Sequence, residues 1–162
     1  MSLVIESKRR KRETLVQRHP NAWIIDVTSQ GPQPWVKFSP FYPHGAIPVP
    51  LSPDYTAASV EAIWQGLKVF ANADSDLAAF ANTTMSGLKR PARRYGVVRG
   101  HRAGVTGDHL LAYREARYQI YLPAYRWVLD RCLQPELAEL RRLSRSRIVV
   151  LLDYETNSDV EN

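Results

Sequence analysis

The chain is poor in the residues that build covalent cross-links and metal sites. Cys132 is its one cysteine, so no internal disulfide can form, which favours a reducing compartment, the cytoplasm. The four histidines are scattered and show no metal-site spacing, so neither a metal nor another cofactor is expected. There is no run of about eighteen apolar residues, and only Leu3–Ile5 form an apolar run before the first block of charges. The sequence therefore predicts neither a membrane span nor a secretory signal.

What the chain does have is the composition of an ordinary globular protein. With 162 residues, 44% of them hydrophobic and 23% charged, it is predicted to form a single domain over residues 1–162. The net charge of +6 favours anionic partners. Phosphate-bearing metabolites, nucleotides and nucleic acid all satisfy that charge.

Two apolar, β-branched runs are the best candidates for central strands, at residues 22–28 and 148–152. Most of the remaining periodic segments are helical, so the sequence predicts an α+β fold, predominantly helical, with a small β-sheet. Less regular segments are predicted as follows: a basic helix over about 6–18, a short strand over 35–38, a helix over 84–89, a loop over 97–107 and a long helix over 108–131 interrupted at Pro123.

A helix over residues 57–70 carries two stripes. Val60, Ile63, Trp64 and Leu67 form an apolar stripe, for which Thr56 or Asp54 is the expected N-cap. Glu61, Gln65 and Lys68 recur along a second, polar stripe. That stripe is either a polar wall for a small ligand or a complement to the helix macrodipole, which favours an anion in the first turn and a cation at the end. Trp64 and, on the long helix, Tyr118 are expected in the core.

Two basic clusters and one proline-rich loop complete the pattern. Residues 8–12 are all Lys or Arg, and residues 89–94 contain Lys89, Arg90, Arg93 and Arg94. Such runs are solvated surfaces or phosphate-binding sites. The segment 39–53 contains five prolines and excludes a helix or a central strand. It is either an irregular cover of the core or an aromatic wall beside the polar stripe.

Two segments together resemble a known family. Residues 38–43, FSPFYP, are similar to the FSxFYP signature that opens NADAR (YbiA-like) domains. Residues 59–68, SVEAIWQGLK, resemble that family's (S/T)VExxxQxxK helix, in the same order and at about the same separation. Softer similarity follows at residues 88–94 and 135–153, so the resemblance as a whole covers about residues 35–159. The chain departs from the family pattern at two places. The family has an Asp-Trp dipeptide at the start of its long helix, where this chain has at best Tyr113, and the family's closing Asp-x-x-Trp-Gly pattern is not present.

The resemblance implies a YbiA/NADAR-like fold and an N-glycosidase that hydrolyses a ribosyl or ADP-ribosyl N-glycosidic bond. Its ligand would be nucleotide-like and bear phosphate. Cleavage of a ribose C1–N bond builds positive charge on the sugar, and a fixed carboxylate can stabilise that charge and deprotonate a water. The predicted catalytic residues are Glu61, Asp153 and Asp159. The predicted substrate-binding residues are Phe41, Tyr42, Gln65, Lys68, Arg90, Arg93, Arg94 and Asn157.

A different class of function also fits the charge. A non-catalytic module could bind nucleotides or nucleic acid through its basic clusters. A third possibility is a degenerate enzyme fold that is retained as an adaptor. The absence of the family's Asp-Trp and Asp-x-x-Trp-Gly patterns is consistent with this possibility. Convergence of the basic clusters with Glu61 would favour the enzyme, whereas a convex basic face would favour the binding module.

Overall fold

The computed structural model describes residues 2–154 of the chain. About 38% of these residues are helical and 19% are in strands, which confirms the α+β class and the excess of helix. The described residues form two compact units, one of residues 2–39 with 133–154 and one of residues 40–132. The single domain over 1–162 stays a prediction. No helix in the described part has the length and apolarity needed to cross a bilayer.

The first unit is built on a three-stranded parallel sheet. Its strands are β1 (Leu3–Ser7), β8 (Val149–Asp153) and β2 (Trp23–Asp26), with β8 in the centre. Helix α1 (Arg12–Arg18) covers one face, where Leu15 packs on Val150 and Leu152. Both strands predicted from apolar runs are therefore present and pair directly with each other, but among the described residues β2 is an edge strand and not a central one.

Two predictions for the first unit are wrong. The basic helix expected over 6–18 is instead strand β1, a turn and the shorter helix α1, because the apolar run at Leu3–Ile5 pairs with β8. The strand expected over 35–38 is a 3-10 helix, Trp35–Phe38. The Pro32 carbonyl accepts a hydrogen bond from the Val36 amide, and the Pro34 carbonyl accepts one from the Lys37 amide. These backbone groups bond within the turn and therefore cannot bond to a neighbouring strand. Helix α6 (Gln134–Leu143) completes this unit, with Pro135 in its first turn, where a proline needs no amide hydrogen.

The second unit places one buried helix against an antiparallel sheet. Helix α2 (Val60–Leu67) begins at Ser59, whose Oγ accepts a hydrogen bond from the Ala62 amide at 3.0 Å; the N-cap is thus neither Thr56 nor Asp54. It runs directly into β5 (Lys68–Phe70), which pairs with β6 (Val98–Arg102) and then β7 (Leu110–Leu111). Part of the predicted 97–107 loop is therefore a central strand.

Several small elements connect this core. A two-stranded pair, β3 (Ile47–Pro48) with β4 (Thr56–Ala57), spans the proline-rich segment, and a 3-10 helix (Leu77–Ala81) and helix α3 (Ala92–Tyr95) follow later. The helix predicted over 84–89 is absent from the structure. Asn82 accepts hydrogen bonds from the Thr84 amide and hydroxyl and donates to the Ser86 carbonyl, so a side-chain turn replaces helical bonding there.

The long helix is divided into α4 (Tyr113–Ala116), a π-helical turn (Arg117–Tyr121) and α5 (Leu122–Cys132). Pro123 has no amide hydrogen for the preceding turn, and the helix widens just before it. The wider turn shifts the buried stripe to Ala116, Ile120, Ala124 and Val128. The prediction that Tyr118 lies in the core is wrong, since this residue is 51% exposed.

Candidate functional site

The polar stripe of α2 lies inside the second unit. All eight residues of the helix are buried, and the Glu61 and Gln65 side chains belong to residues only 7% and 4% exposed. Gln65 Nε2 donates a hydrogen bond to Glu61 Oε1 at 2.8 Å. Burial of a carboxylate without partners costs free energy. The helix macrodipole contributes only about 0.3–1 kcal/mol, which is too little to explain a buried glutamate at this position. The stripe has the geometry of a polar interior wall.

Neighbouring segments fix the position of Glu61. Its amide donates to the Pro40 carbonyl at 2.8 Å, so the proline-rich loop is tied to the first turn of α2. At the other end of the helix, a Cβ at Gly66 would lie 2.5 Å from the Phe80 ring, which requires glycine for this close packing. The carboxylate is therefore held on a rigid element at both ends.

Lys68 lies at the junction of α2 and β5, half-buried, with its Nζ 5.9 Å from the centre of the Trp64 ring. Burial lowers the pKa of its ammonium, and repulsion from Lys89 and Arg90 acts in the same direction, whereas attraction by Glu61 opposes both. A lysine with a lowered pKa is a better proton donor near neutral pH than an ordinary surface lysine.

His101 is a site residue that sequence reasoning missed. It is the cross-strand partner of Lys68, is 1% exposed, and stacks on Trp64 with ring centres 3.7 Å apart. Neither ring nitrogen makes a hydrogen bond of acceptable geometry with a described residue. Burial, followed by the charge of Lys68, lowers the pKa of the imidazole to about 3, against a weak opposing interaction with the Trp64 backbone. His101 is therefore neutral at physiological pH. No periodicity marks it in the sequence.

Trp64 is the centre of an aromatic cluster. It is buried, as predicted, and Tyr113 and Tyr121 contact it edge-on, with ring centres at 6.0 and 5.6 Å. Arg117 packs on both tyrosines, 5.9 Å from Tyr113 and 5.3 Å from Tyr121. The spacing of 113, 117 and 121 at four-residue steps was visible in the sequence, but only the fold shows that these residues meet α2.

The residues of the second basic cluster differ in how far their side chains bond to the protein itself. Arg90 donates to the backbone carbonyls of Lys68 at 2.8 Å, Asp74 at 2.6 Å and Gln65 at 3.4 Å, so its guanidinium holds the end of α2. Lys89 lies 5.9 Å from the Phe41 ring. Arg93 and Arg94 are exposed on α3.

The other predicted site residues of the second unit are Phe41 and Tyr42. Both are half-buried, and the Tyr42 ring lies 4.8 Å from that of His44. Their contact with a ligand base stays a prediction. A separate groove of about 400 Å³, lined by Asp74, Arg102, His109 and neighbours, does not include Glu61.

One further predicted residue belongs to the first unit. Asp153 is the exposed last residue of β8 in the first unit, where its Oδ1 accepts a hydrogen bond from the Tyr154 amide at 2.7 Å. Asn157 and Asp159 lie outside the described residues. In the first basic block, Lys8 pairs with Asp26 and Arg10 pairs with Glu6, so part of that charge is neutralised internally. Among residues 2–154 no group of three His, Cys, Asp or Glu could hold a metal ion.

Comparison with known proteins identifies one relationship. Residues 7–162 match the model of a family of unknown function, DUF6939, and the chain belongs to that family. No curated protein and no solved structure matches the chain.

Proposed function

We propose that this protein is an N-glycosidase that hydrolyses a ribosyl or ADP-ribosyl N-glycosidic bond, with a YbiA/NADAR-like fold. The observation that carries the proposal is the buried Glu61 carboxylate, which is bonded to Gln65 and lies within electrostatic reach of Lys68. The two sequence motifs that resemble NADAR domains support it independently. The single cysteine favours a cytoplasmic setting for this activity.

Glu61 and Lys68 divide the proton transfers in this mechanism. As the C1–N bond breaks, its electron pair passes to the leaving nitrogen, which takes a proton from the Lys68 ammonium. The Glu61 carboxylate stabilises the positive charge on the sugar and takes a proton from the water that bonds to C1. Return of that proton from Glu61 to Lys68 restores both groups. Each proton transfer contributes roughly 10²–10⁴-fold to the rate.

Lys68 takes the role of acid in preference to Asp153. A general acid works best when its pKa is near the working pH, and burial shifts the pKa of Lys68 in that direction. Gln65 then orients the Glu61 carboxylate through the hydrogen bond to Oε1.

The non-catalytic binding module is less well supported. It could use the exposed side chains of Lys89, Arg93 and Arg94, but not the three donors of Arg90 that already bond to backbone carbonyls. It also gives no reason for a buried Glu-Gln pair on α2.

Substitution of Glu61 by Gln tests the proposal. We expect hydrolysis of a panel of ribosylated compounds and ADP-ribosylated DNA, followed by mass spectrometry, to fall at least a hundredfold, because the charge that faces the ribosyl cation is lost. Binding of ADP-ribose by calorimetry should survive, since the amide keeps the shape of the carboxylate. Glu13→Gln is the matched control, because Glu13 is also in a first helical turn but is exposed. Retained turnover per folded Glu61→Gln molecule would remove Glu61 from the chemistry.

A further inference from the structure

Arg117 occupies an unusual place in the second unit. It is the first residue of the π-helical turn that precedes Pro123, and such turns are frequent at functional sites. Its guanidinium packs on the rings of Tyr113 and Tyr121, which restricts the rotamers of the side chain. The side chain is thus already ordered before any ligand arrives.

The polar groups of Arg117 are poorly satisfied. Its one hydrogen bond joins Nη1 to the Tyr113 hydroxyl at 3.3 Å, and among residues 2–154 no carboxylate pairs with it. Its Nε is buried and has no hydrogen-bond partner in the described part of the chain. By contrast, Arg102 makes a bidentate pair with Asp74. A buried donor without a partner costs stability, so an arginine of this kind points to an anion that completes it.

The surroundings connect this arginine to the polar stripe. The two tyrosines that hold Arg117 both contact Trp64, and the Lys68 ammonium lies over the same indole. Tyr113 is 45% exposed, so this end of the cluster opens to solvent. A ligand can therefore reach Arg117 along the aromatic cluster.

We propose that Arg117 binds a phosphate group of the ligand and is the anion receptor of this site. The inference rests on the proposed function, because it takes the ligand to be nucleotide-like. Its planar fork of donors suits bidentate contact with phosphate oxygens. The sequence had suggested Arg90 for this role. Three of its donors already form hydrogen bonds with the backbone carbonyls of Gln65, Lys68 and Asp74.

Calorimetric titration of the full chain at 0.15 M salt tests the assignment. The probes are ADP-ribose, inorganic pyrophosphate, adenosine and succinate, with an unmodified oligonucleotide as a further source of phosphate. We expect Arg117→Gln to weaken the binding of ADP-ribose and pyrophosphate at least tenfold, and Arg117→Lys to weaken it less. Adenosine binding should not change. Arg126→Gln, which removes an exposed arginine from the same long helix, is the matched control.

Each outcome decides the assignment. The thermal midpoint of the unliganded Arg117→Gln protein should stay within a few degrees of the wild-type value, because no ion pair is lost. A tenfold effect on the oligonucleotide alone would support the phosphate contact and assign its source to nucleic acid. Equal affinity of wild type and both variants for every phosphate-bearing probe, the oligonucleotide included, would overturn it. So would an equal loss of succinate binding, or no binding of any phosphate-bearing probe by the wild type. Absence of hydrolysis with phosphate binding intact would reject only the N-glycosidase.

Discussion

Replacement of Arg90 by Gln should destabilise the second unit by about 3.5–4 kcal/mol. Two short, charge-assisted hydrogen bonds, to the carbonyls of Lys68 at 2.8 Å and Asp74 at 2.6 Å, are lost. Bonds of this kind contribute about 1.5–3 kcal/mol each when buried, and we take the lower end because Arg90 is half-exposed. Packing of the guanidinium on Phe70 and Tyr95, at 4.9 and 5.1 Å, adds about 0.5–1 kcal/mol.

The measurement is thermal and urea unfolding of the full chain. A loss of this size corresponds to a fall in the thermal midpoint of roughly 5–15 °C for a protein of this length. Arg93→Gln is the matched control, because Arg93 is exposed on the same segment and should change stability by no more than about 0.5 kcal/mol. If Arg90→Gln were as stable as Arg93→Gln but bound ADP-ribose more weakly, the structural role of Arg90 would be wrong and its predicted role in phosphate binding would stand.

Two further predictions concern pH. The folded pKa of His101 is about 3, well below the ordinary 6.5, so the unfolded chain binds the extra proton between these values and stability falls as pH decreases through that window. His101→Phe should reduce the slope of the unfolding free energy against pH by up to about 1.4 kcal/mol per pH unit, measured from pH 6.5 to 4.5; an unchanged slope would contradict the burial of a neutral imidazole. The pKa of Glu6 is lowered, chiefly by its hydrogen bond with His19, so its stabilisation is present above the ordinary carboxyl pKa and is lost as pH falls through the lower folded value. Glu6→Gln should therefore flatten the stability curve below about pH 4.5, and a curve that still parallels wild type there would contradict this.

The local sequence pattern was sufficient to predict two of the strands and helix α2. The apolar runs at residues 22–28 and 148–152 predicted two strands that do pair. The spacing of Val60, Ile63, Trp64 and Leu67 predicted helix α2, but Lys68, predicted on its polar stripe, lies in strand β5. Burial was not predictable in the same way. The helical period alone does not distinguish the buried Glu61 from the exposed Glu13, since both lie in the first turn of a helix.

The errors arose where long-range contacts or a local irregularity override the period. Strand β6 contains a glycine and two arginines and reads as a loop, but its backbone pairs with β5 on one side and β7 on the other. On the long helix, the assumption of a regular 3.6-residue period predicted Tyr118 as a core position. The π-helical turn before Pro123 moves the buried positions to Ile120 and Ala124.

The arginines show why charge clustering is a weak guide to a binding site. A cluster counts cations, whereas a ligand is bound by donors that remain after the protein has satisfied its own acceptors. Arg90 lies in a cluster but is committed to three backbone carbonyls. Arg117 stands apart from the clusters, yet it keeps a buried donor without a partner and is held in place by two rings. The unused donors of a fixed side chain are therefore the better criterion. By that criterion Arg117, in the aromatic cluster around Trp64, is the residue that would bind a phosphate.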